Sequence, residues 1–498
     1  MKRYLWGCLC LLSMTVGAAD TPNIIFILAD DIGYGDFGCY GATKVKTPNI
    51  DKLARSGLRF TDGHSAANVC TPSRYAFMTG QYAFRQPNTG IARGIEGLLI
   101  PEGRTTIAQV MKRAGYTTGV VGKWHLGLGK TPTDYNSEIK PGPLEIGFDY
   151  AWLLPATGDR VPCVWVENRK VVNLDPADPI VLDYSVNRGA PDSFVNGVPR
   201  IGKQTGGKAA LWKDDEMSLV IAKKGIDFIE RSKEKPFFLY LATHNIHVPR
   251  VPNAQFRGKS ECGTRGDTIM EFDWTVGQIV DALERLGLRD KTLVVLSSDN
   301  GGVLDTNGPD KVNSGTVETN NGHAFNGVLR GTKGSLYEGG TRVPFIVSWP
   351  KRVEPGVSDA LVCQVDLMAS FAALTGQKLA EQEGPDSVNV LPHLLGVKTE
   401  KNIRDFLVEQ NNSGSGLALR QGEWKYIPGN VLAMKRSPKR ENKNKSGIGK
   451  NDQQAVSGQL YNLATDLSET RNVADENLER VKEMSSALDR IRASKNID

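Results

Sequence analysis

A cysteine and an arginine stand at the start of a predicted helix within residues 68–80. Thr71 is a residue type that caps helices and Pro72 suits a first helical position, so the pattern predicts a helix that begins just after Cys70. The positive end of a helix dipole, with Arg74 one turn further on, lowers the pKa of a thiol and attracts anions. The plainer interpretation is a buried cysteine before an ordinary helix.

Two pairs of oxygen-bearing side chains follow predicted buried strands. Asp30 and Asp31 end one continuous apolar run, and Asp299 and Asn300 come shortly after another. Carboxylate and amide oxygens without thiolate or imidazole favour Ca²⁺ or Mg²⁺ over zinc. Either pair alone would be interpreted as a helix cap or a loop turn. Both pairs together, after separate buried strands, predict a metal site.

Three further side chains lie just after predicted strand ends: Lys123, His125 and His247. Strands alternate with helical patterns in this part of the chain, which predicts a mostly parallel sheet covered by helices on both faces. Ligands of such sheets bind at the carboxyl ends of the strands. The sequence therefore predicts one shared site that includes both acidic pairs.

The elements that must position these side chains are predicted from hydrophobic periodicity. Buried strands are predicted at 23–28, 117–121, 236–241 and 292–296. Helices are predicted at 49–56, 105–114, 215–232 and 266–286. Residues 160–205 and 301–326 are less regular, and long irregular segments of enzymes are often functional.

After about residue 400 the pattern changes to short segments. Residues 417–420 and 424–427 predict antiparallel strands, and residues 478–493 predict a final helix. A basic, asparagine-rich segment at 434–450 is typical of a solvated loop, although an anionic glycan could bind it. These features predict a smaller C-terminal α+β domain that contains a short antiparallel sheet.

The N-terminus has the pattern of a secretory signal peptide. Lys2 and Arg3 precede an apolar run shorter than the ~20 residues of a membrane span, and small residues precede Asp20. Cleavage after Ala19 would export the protein to the periplasm or the medium. A lipoprotein anchored through Cys8 is the alternative, which the early position of that cysteine disfavours. No later segment predicts a membrane span.

The predicted organisation therefore has three parts. A signal peptide covers residues 1–19, a catalytic domain covers 20–400 and the smaller C-terminal domain covers 401–498.

Composition excludes one class of partner. The formal net charge is +5, from 61 basic and 56 acidic residues, and signal removal takes away basic groups only. A balance so close to neutral predicts no nucleic-acid partner. The cysteines outside the signal peptide are Cys39, Cys70, Cys163, Cys262 and Cys363. Their spacing forms no zinc pattern, and one or two disulfides could form in an oxidising compartment.

Four motifs together resemble the type I sulfatases of the alkaline phosphatase-like superfamily. They are Cys-Thr-Pro-Ser-Arg at 70–74 with the later Thr-Gly at 79–80, and the segments at 115–127, 243–249 and 330–340. The motifs occur in family order across residues 23–349, and residues 460–474 resemble the C-terminal pattern of the family. The resemblance thus covers most of the chain.

The resemblance implies a fold and two cofactors. The implied α/β fold is a large mixed, mostly parallel sheet flanked by helices, with the smaller C-terminal domain. In this family the cysteine matching Cys70 is oxidised to Cα-formylglycine, by a formylglycine-generating enzyme or an anaerobic sulfatase-maturating enzyme. The residues that match the family's calcium ligands, in preference to magnesium ligands, are Asp30, Asp31, Asp299, Asn300 and the modified Cys70.

The resemblance also implies catalytic roles. The residues that match those around the sulfate are Arg74, Lys123, His125, His247 and Lys333. One hydroxyl of the hydrated formylglycine attacks sulfur, and collapse through the other releases sulfate. The cations and the metal stabilise the transition state. His247 matches the acid for the leaving oxygen, and His125 assists the diol.

The expected activity is hydrolysis of sulfate esters on a sulfated carbohydrate. A loose similarity favours glycans that contain galactose or N-acetylgalactosamine. Candidate sugar contacts in or beside the irregular segments are Asp159, Arg160, His244 and His323. For His244 a local hydrogen-bonding role is the favoured alternative. Two alternatives stay open: a phosphodiesterase or phosphonate monoester hydrolase on the same scaffold, and a catalytically silent glycan-binding relative.

Overall fold

The computed structural model describes residues 21–303, 320–399, 402–429 and 458–494. The predicted signal peptide and the basic segment at 434–450 lie outside the described residues.

The structure consists of strands and helices that alternate over most of the chain. The strands are β1 (Asn23–Ala29), β2 (Leu58–Phe60), β3 (Gly63–His64), β4 (Thr117–Lys123), β5 (Tyr150–Leu154), β6 (Val166–Glu167), β7 (Lys170–Val171), β8 (Val181–Asp183), β9 (Phe194–Val195), β10 (Val198–Pro199), β11 (Lys203–Thr205), β12 (Phe237–Ala242), β13 (Thr292–Ser298), β14 (Phe345–Ser348), β15 (Gly356–Ser358), β16 (Val362–Cys363), β17 (Phe406–Gln410), β18 (Leu417–Gln421), β19 (Trp424–Ile427) and β20 (Gln459–Asn462). The α-helices are α1 (Pro48–Arg55), α2 (Cys70–Thr79), α3 (Ile107–Arg113), α4 (Met217–Ser232), α5 (Gly263–Arg285), α6 (Glu338–Thr341), α7 (Leu367–Leu374), α8 (Leu391–Leu394) and α9 (Leu478–Ala493).

The large sheet has ten strands in the order β15-β2-β14-β13-β1-β12-β4-β5-β6-β7. Its centre is parallel, because β13, β1, β12, β4 and β5 all run in one direction. β14 is antiparallel to both of its neighbours, and β6 and β7 extend the other edge as antiparallel strands. The sheet is therefore mixed and mostly parallel, as the sequence predicts.

The central strand β1 is buried along its whole length. Alternate residues enter two separate cores, with Ile24 and Phe26 in one and Ile25 and Ile27 in the other. Helices α2, α3 and α7 cover the first face, and α4 and α5 cover the second. A strand buried on both faces needs a continuous apolar run, which is the pattern that identified β1.

The four strands predicted within residues 23–296 are confirmed, and all four extend beyond the predicted end. β4 continues to Lys123 and β13 continues to Ser298. These last residues are polar, so the apolar run stops before the hydrogen-bonded strand does. Their side chains belong to the site described below.

The C-terminal part contains a four-stranded antiparallel sheet in the order β17-β18-β19-β20. Helix α9 covers it, with Val481, Met484 and Leu488 packed in one core with Leu407 and Leu419. Both predicted strands and the final helix are confirmed. The domain boundary near residue 400 stays a prediction.

Across the described segments, no helix combines the length and the apolar character that crossing a bilayer requires.

The five described cysteines are all free, so the disulfides considered from the sequence do not form among them. Cys163 and Cys262 are buried in the core beneath α4 and α5, and Cys363 is buried in the core beneath α9. These thiols pack in the cores as small apolar groups, so no disulfide is needed to explain their burial.

Candidate active site

The carboxyl ends of four adjacent strands, β13, β1, β12 and β4, form one polar edge. Asp30 and Asp31 follow β1, and Asp299 and Asn300 follow β13. The strand ends are tied together, since Asp30 N–H donates to the Asn245 carbonyl at 2.8 Å. The parallel order of the strands therefore brings the two acidic pairs together.

The acidic pairs form a compact oxygen cluster. Carboxylate oxygens of Asp30, Asp31 and Asp299 lie within 4.8 Å of one another, and all three residues are buried. The Asn300 amide donates to Asp31 Oδ1 at 2.8 Å. Two buried acceptors, Asp30 Oδ1 and Asn300 Oδ1, have no hydrogen-bond partner among the described residues. Unsatisfied hard oxygens beside clustered carboxylates fit a divalent cation.

Three cations surround the oxygen cluster. Arg74 donates from Nη2 and Nε to Asp299 Oδ2, at 2.8 and 3.0 Å. Lys123 Nζ lies 2.5 Å from Asp30 Oδ2, and Lys333 Nζ lies 2.7 Å from Asp31 Oδ1.

The accessibility of these cations differs. The side chains of Arg74 and Lys123 are 0% exposed, whereas that of Lys333 is 15% exposed. Arg74 also donates to the Lys123 carbonyl and to the Tyr240 hydroxyl, so its guanidinium is occupied within the protein. Lys333 Nζ is also paired, with both Asp31 oxygens at 2.7 and 2.9 Å, but Lys333 is the one of these three cations whose side chain is partly exposed.

The carboxylates have different pKa values because their neighbours differ. Burial and the nearby Asp299 raise the pKa of Asp30 well above its usual range, against the opposing effect of Lys123. Burial alone would also raise the pKa of Asp31, but Lys333 and His247 hold it below its usual range.

The helix with the cysteine begins two residues earlier than predicted. Cys70 is the first residue of α2, and Val69 is its N-cap without a side-chain capping bond. The predicted cap, Thr71, instead donates to the His125 carbonyl at 3.1 Å and accepts from Ala92 N–H at 3.2 Å. The prediction of Thr71 as a cap is thus wrong, because tertiary contacts use its hydroxyl.

Cys70 lies at the centre of the site. Its Sγ is within 4.8 Å of ligand atoms of Asp30 and His247, and the residue is 1% exposed. Burial raises the pKa of the Cys70 thiol to about 11, although Lys123 and Lys333 oppose this. The predicted lowering of that pKa is wrong for the unmodified thiol, since desolvation outweighs the nearby cations.

The two predicted catalytic histidines are buried and neutral. Burial lowers the pKa of His125 well below its usual range, and Lys123 adds to the effect. Burial likewise lowers the pKa of His247, with Lys333 adding to the effect. Each imidazole therefore has one protonated nitrogen.

Carbonyl acceptors fix which nitrogen carries the proton. His125 Nε2 donates to the Ala92 carbonyl at 3.0 Å, and its Nδ1 has no hydrogen-bond partner among the described residues. His247 Nδ1 donates to the Val248 carbonyl at 2.7 Å, and its Nε2 lies 3.9 Å from Asp31 Oδ2. One imidazole nitrogen of each residue is thus available for proton transfer.

Backbone strain accompanies this arrangement. Asp31 has φ = 64° and His125 has φ = 55°, in the left-handed region that non-glycine residues rarely adopt. Such conformations concentrate at functional sites, where the surrounding structure holds them.

Three of the four predicted sugar contacts lie beside the two predicted catalytic histidines. Asp159 binds Arg160 Nε at 2.9 Å, and Arg160 Nη1 donates to the Ala92 carbonyl that His125 also uses. The His244 and His247 ring centroids are 5.9 Å apart.

His244 is buried with both ring nitrogens unpartnered among the described residues. A Cβ at Gly158 would lie 2.5 Å from His244 Nε2, so only glycine leaves room for this imidazole.

His323 is placed differently. Its Nε2 lies 2.8 Å from Asp36 Oδ1, and Asp36 also accepts from Arg265 and from the Gly33 N–H. The imidazole of His323 is therefore part of a buried hydrogen-bonded group inside the protein.

Sequence reasoning missed several residues that organise the site. Tyr240 contacts Arg74 with its hydroxyl at 3.3 Å, and Thr157 Oγ1 lies 3.1 Å from His247 Nδ1. Tyr240 belongs to the apolar run of β12, and Thr157 lies in an irregular segment. Neither position has a local pattern that distinguishes it from a core or loop residue.

Comparison with known proteins agrees with this geometry. The Sulfatase family model matches residues 22–377. An N-acetylgalactosamine-6-O-sulfatase of Bacteroides thetaiotaomicron is 46% identical over 492 residues, which cover 95% of this chain and 93% of that protein. Human arylsulfatase A is 33% identical over 423 residues, which cover 83% of this chain and 76% of that protein.

Solved structures give the same result. One is a sulfatase structure from work on glycosaminoglycan metabolism by Bacteroides thetaiotaomicron. Its sequence is 45% identical to this one, the TM-score is 0.86, and the aligned region covers 95% of this chain and 100% of that chain. The structure of Ps i-CgsB in complex with k-i-k-neocarrahexaose is 26% identical, with a TM-score of 0.69, and covers 95% of this chain and 93% of that chain.

These similarities extend over nearly the whole chain and include the site. They decide against the phosphodiesterase alternative, because a match of this extent makes the protein a sulfuric ester hydrolase. The chain belongs to the sulfatase family, with a fold of the alkaline phosphatase-like superfamily.

Proposed function

We propose that this sulfatase hydrolyses the 6-O-sulfate ester of N-acetylgalactosamine units in a sulfated glycan, with galactose units as the related alternative. The observation that carries the proposal is the 46% identity to an N-acetylgalactosamine-6-O-sulfatase over 95% of this chain. The arrangement of Cys70, the oxygen cluster and Lys333 supports sulfate-ester chemistry at this site.

The oxygen cluster is the proposed calcium site. Asp30, Asp31, Asp299 and Asn300 would hold the ion, and the unpartnered Asp30 Oδ1 and Asn300 Oδ1 are the acceptors that an ion would satisfy. All these donors are hard oxygens, which support Ca²⁺ with Mg²⁺ as the alternative. A divalent cation there would neutralise charge on a sulfuryl oxygen.

Cys70 is the proposed site of formylglycine. Hydrated formylglycine would supply one hydroxyl that attacks sulfur and a second whose deprotonation lets sulfate leave. A buried position at the start of α2, beside Asp30 and His247, suits a group that must face both the cation site and a proton-transfer residue. A formylglycine-generating enzyme or an anaerobic sulfatase-maturating enzyme would convert the residue.

The cations would act in two ways. Lys333 is partly exposed, so its amino group would bind a sulfuryl oxygen and stabilise the charge that develops on it. Lys123 and Arg74 are fully buried against Asp30 and Asp299, so they would hold these carboxylates in place.

The histidines would move protons at defined atoms. His125 Nδ1 is unpartnered among the described residues and would accept a proton from the nucleophilic group. His247 Nε2 would donate a proton to the leaving oxygen. A bound anionic sulfate ester, together with Asp31 at 3.9 Å, favours the protonated form of this imidazole.

The sugar would be recognised by Asp159, Arg160 and His244. They lie beside the catalytic histidines, and the unpartnered nitrogens of His244 would be satisfied by sugar hydroxyl groups. His323 stays a prediction whose internal contact with Asp36 gives no support for a sugar contact.

Screening defined sulfated sugars tests the proposal. We expect sulfate release from 6-sulfated N-acetylgalactosamine, weaker release from 6-sulfated galactose and none from the 4-sulfated isomers. A Cys70→Ser preparation is the matched control for contaminating activity. Faster turnover of glucosamine sulfates than of either galacto-configured sugar would contradict the assignment.

His244→Ala tests the recognition site separately. We expect KM for the sulfated sugar to rise about 10-fold, with kcat for an activated aryl sulfate nearly unchanged, because the lost hydrogen bond serves only the sugar. An equal loss on both substrates would instead indicate a structural role for His244.

We also infer that the protein is exported, from the signal pattern at residues 1–19. Mass spectrometry of the protein purified from its source would show a mature N-terminus at Asp20 and an aldehyde in the peptide that contains residue 70. An intact N-terminus or an unmodified thiol in active enzyme would contradict these two inferences.

A further inference from the structure

The short helix α6 touches two segments of the proposed catalytic site and directly continues a third. Its Gly340 carbonyl accepts the N–H of Gly301, the residue after the Asp299–Asn300 pair, at 2.9 Å. Its Thr341 carbonyl accepts the Ser65 N–H at 2.9 Å, on the segment that leads into α2. The loop before α6 contains Lys333, the lysine proposed to bind the sulfate.

Backbone groups in this region are in direct contact. A Cβ at Gly301 would lie 1.9 Å from the Gly339 carbonyl oxygen. The Asn68 carbonyl accepts the Gly334 N–H at 2.8 Å, which ties the loop of Lys333 to the segment before α2. Closely packed backbones of this kind move together, so the position of α6 sets the positions of all three segments.

The C-terminal sheet holds α6 from the other side. Lys425 on β19 places Nζ 2.8 Å from Glu338 Oε1 and 2.7 Å from Oε2 of Glu409 on β17. Glu409 Oε1 accepts the Thr341 hydroxyl at 2.8 Å, and Glu469 Oε2 accepts the Glu338 N–H at 2.7 Å. The side chains of Lys425 and its three carboxylate partners are 0% exposed, so water does not screen these interactions.

We propose that Lys425 is a positioning residue for sulfate-ester hydrolysis. Through Glu338 it fixes α6, and through α6 it fixes the amino group of Lys333 relative to the metal-binding carboxylates. The inference rests on the proposed contact of Lys333 with the sulfate. Because Lys425 is fully buried, it acts without touching the substrate. The C-terminal sheet is thereby part of the catalytic unit.

A double-mutant cycle with Lys333 tests the proposal. Lys425→Met and Glu338→Gln are each made in the wild-type and in the Lys333→Ala background. Activity on an activated aryl sulfate is expressed per formylglycine-containing molecule, counted by mass spectrometry. We expect each single change to lower kcat/KM at least about 10-fold, mainly through kcat, in the wild type. In the Lys333→Ala background the same change should cost less than about 3-fold.

Asp386→Asn is the matched control, since it also replaces a buried carboxylate at the contact with the C-terminal part. Asp386 pairs with Arg85 at 2.8 Å and has no hydrogen bond or ion pair to α6 in the part of the chain described. We expect this variant to lose thermal stability and to keep kcat/KM within about 3-fold of wild type in both backgrounds.

The proposal would be overturned if Lys425→Met and Glu338→Gln lowered kcat/KM by the same factor in the wild-type and Lys333→Ala backgrounds. Wild-type activity of both single variants would also overturn it. Glu338→Gln decides the test if Lys425→Met does not fold, because Gln keeps the shape of Glu and Lys425 keeps two carboxylates. Full activity of Lys333→Ala alone would instead contradict the proposed function, so the two failures are distinguishable.

Discussion

Two buried clusters of charged side chains in this protein have similar compositions but different proposed roles. The first, which we call the catalytic cluster, lies at the proposed active site and comprises Asp30, Asp31, Asp299, Asn300, Arg74, Lys123 and Lys333. The second, which we call the interdomain cluster after the predicted boundary near residue 400, comprises Asp62, His64, Glu338, Arg342, Glu409, Arg420, Lys425 and Glu469. Each contains one group of three ligand atoms within 4.8 Å of one another, the usual first sign of a metal site.

Pairing separates the two clusters. In the interdomain cluster the described carboxylates all face cations: Asp62 contacts Arg342 and Arg420, and Glu338 and Glu409 contact Lys425. In the catalytic cluster Asp30 Oδ1 and Asn300 Oδ1 accept no hydrogen bond among the described residues. In the interdomain cluster Glu338 Oε2, Glu409 Oε2 and Glu469 Oε1 accept none either, but a nitrogen of Arg342 or Lys425 lies 3.2, 2.7 and 3.9 Å from them, respectively.

The exposure of the cations agrees with this distinction. Lys425 is 0% exposed, whereas the side chain of Lys333 is 15% exposed. A buried cluster whose carboxylates all face cations holds elements together, whereas a cluster with unpartnered oxygens beside a partly exposed cation suits a ligand.

The largest expected effect is the loss of activity from Cys70→Ser, beside the catalytic cluster. We expect multiple turnover to fall by on the order of 10³-fold or more, because serine cannot become the aldehyde hydrate. The melting temperature should not change, since the two side chains have similar size and no ion pair is lost. Steady-state assays and thermal unfolding test this, and near wild-type turnover would remove the proposed role of formylglycine.

Asp299→Ala tests whether the open acceptors hold a cation. We expect loss of bound metal, with affinity reduced more than ~100-fold, and a parallel loss of activity. Metal content after dialysis, measured beside activity, decides the outcome. Retention of both would exclude Asp299 as an essential ligand.

Asp62→Asn applies the corresponding change to the interdomain cluster. We expect the free energy of unfolding to fall by about 3–5 kcal/mol, because Arg342 and Arg420 lose their buried counter-charge. Bound metal per chain should stay equal to wild type. Metal loss in this variant would show that the two clusters are not separate in function.

The smallest expected effect is a pH-dependent contribution of His64 to the stability of the fold. Its Nε2 lies 2.8 Å from Asp62, and although burial alone would lower the pKa of His64, Asp62 and Glu409 raise it above its usual 6.5. A raised pKa in the folded state means that the protonated imidazole stabilises the fold fully below pH 6.5 and loses this effect as pH rises through the folded value.

A His64→Gln variant measures this contribution. We expect it to be less stable than wild type by on the order of 1–2 kcal/mol at acidic pH, with the difference narrowing as pH rises. Thermal unfolding of both proteins across the pH range tests the sign. A difference that widens with rising pH would contradict a protonated His64.

Much of the site could be predicted because its residues end apolar runs. Asp30 and Asp299 follow strands whose hydrophobic periodicity is local, and parallel strands must meet at their carboxyl ends. The interdomain cluster could not be predicted, since its members lie between residues 62 and 469 and share no local pattern. Lys425 in particular stands in a short strand, where a lysine normally faces water.

The sequence by itself determined the central strands, the side chains at their ends and the motif around Cys70, because apolar runs and motifs are properties of neighbouring residues. The tertiary structure alone decided that the Cys70 thiol has a raised pKa, that Thr71 does not cap α2 and that Asp30 Oδ1 stays open. These properties depend on desolvation and on partners supplied by distant parts of the chain, which the order of residues does not display.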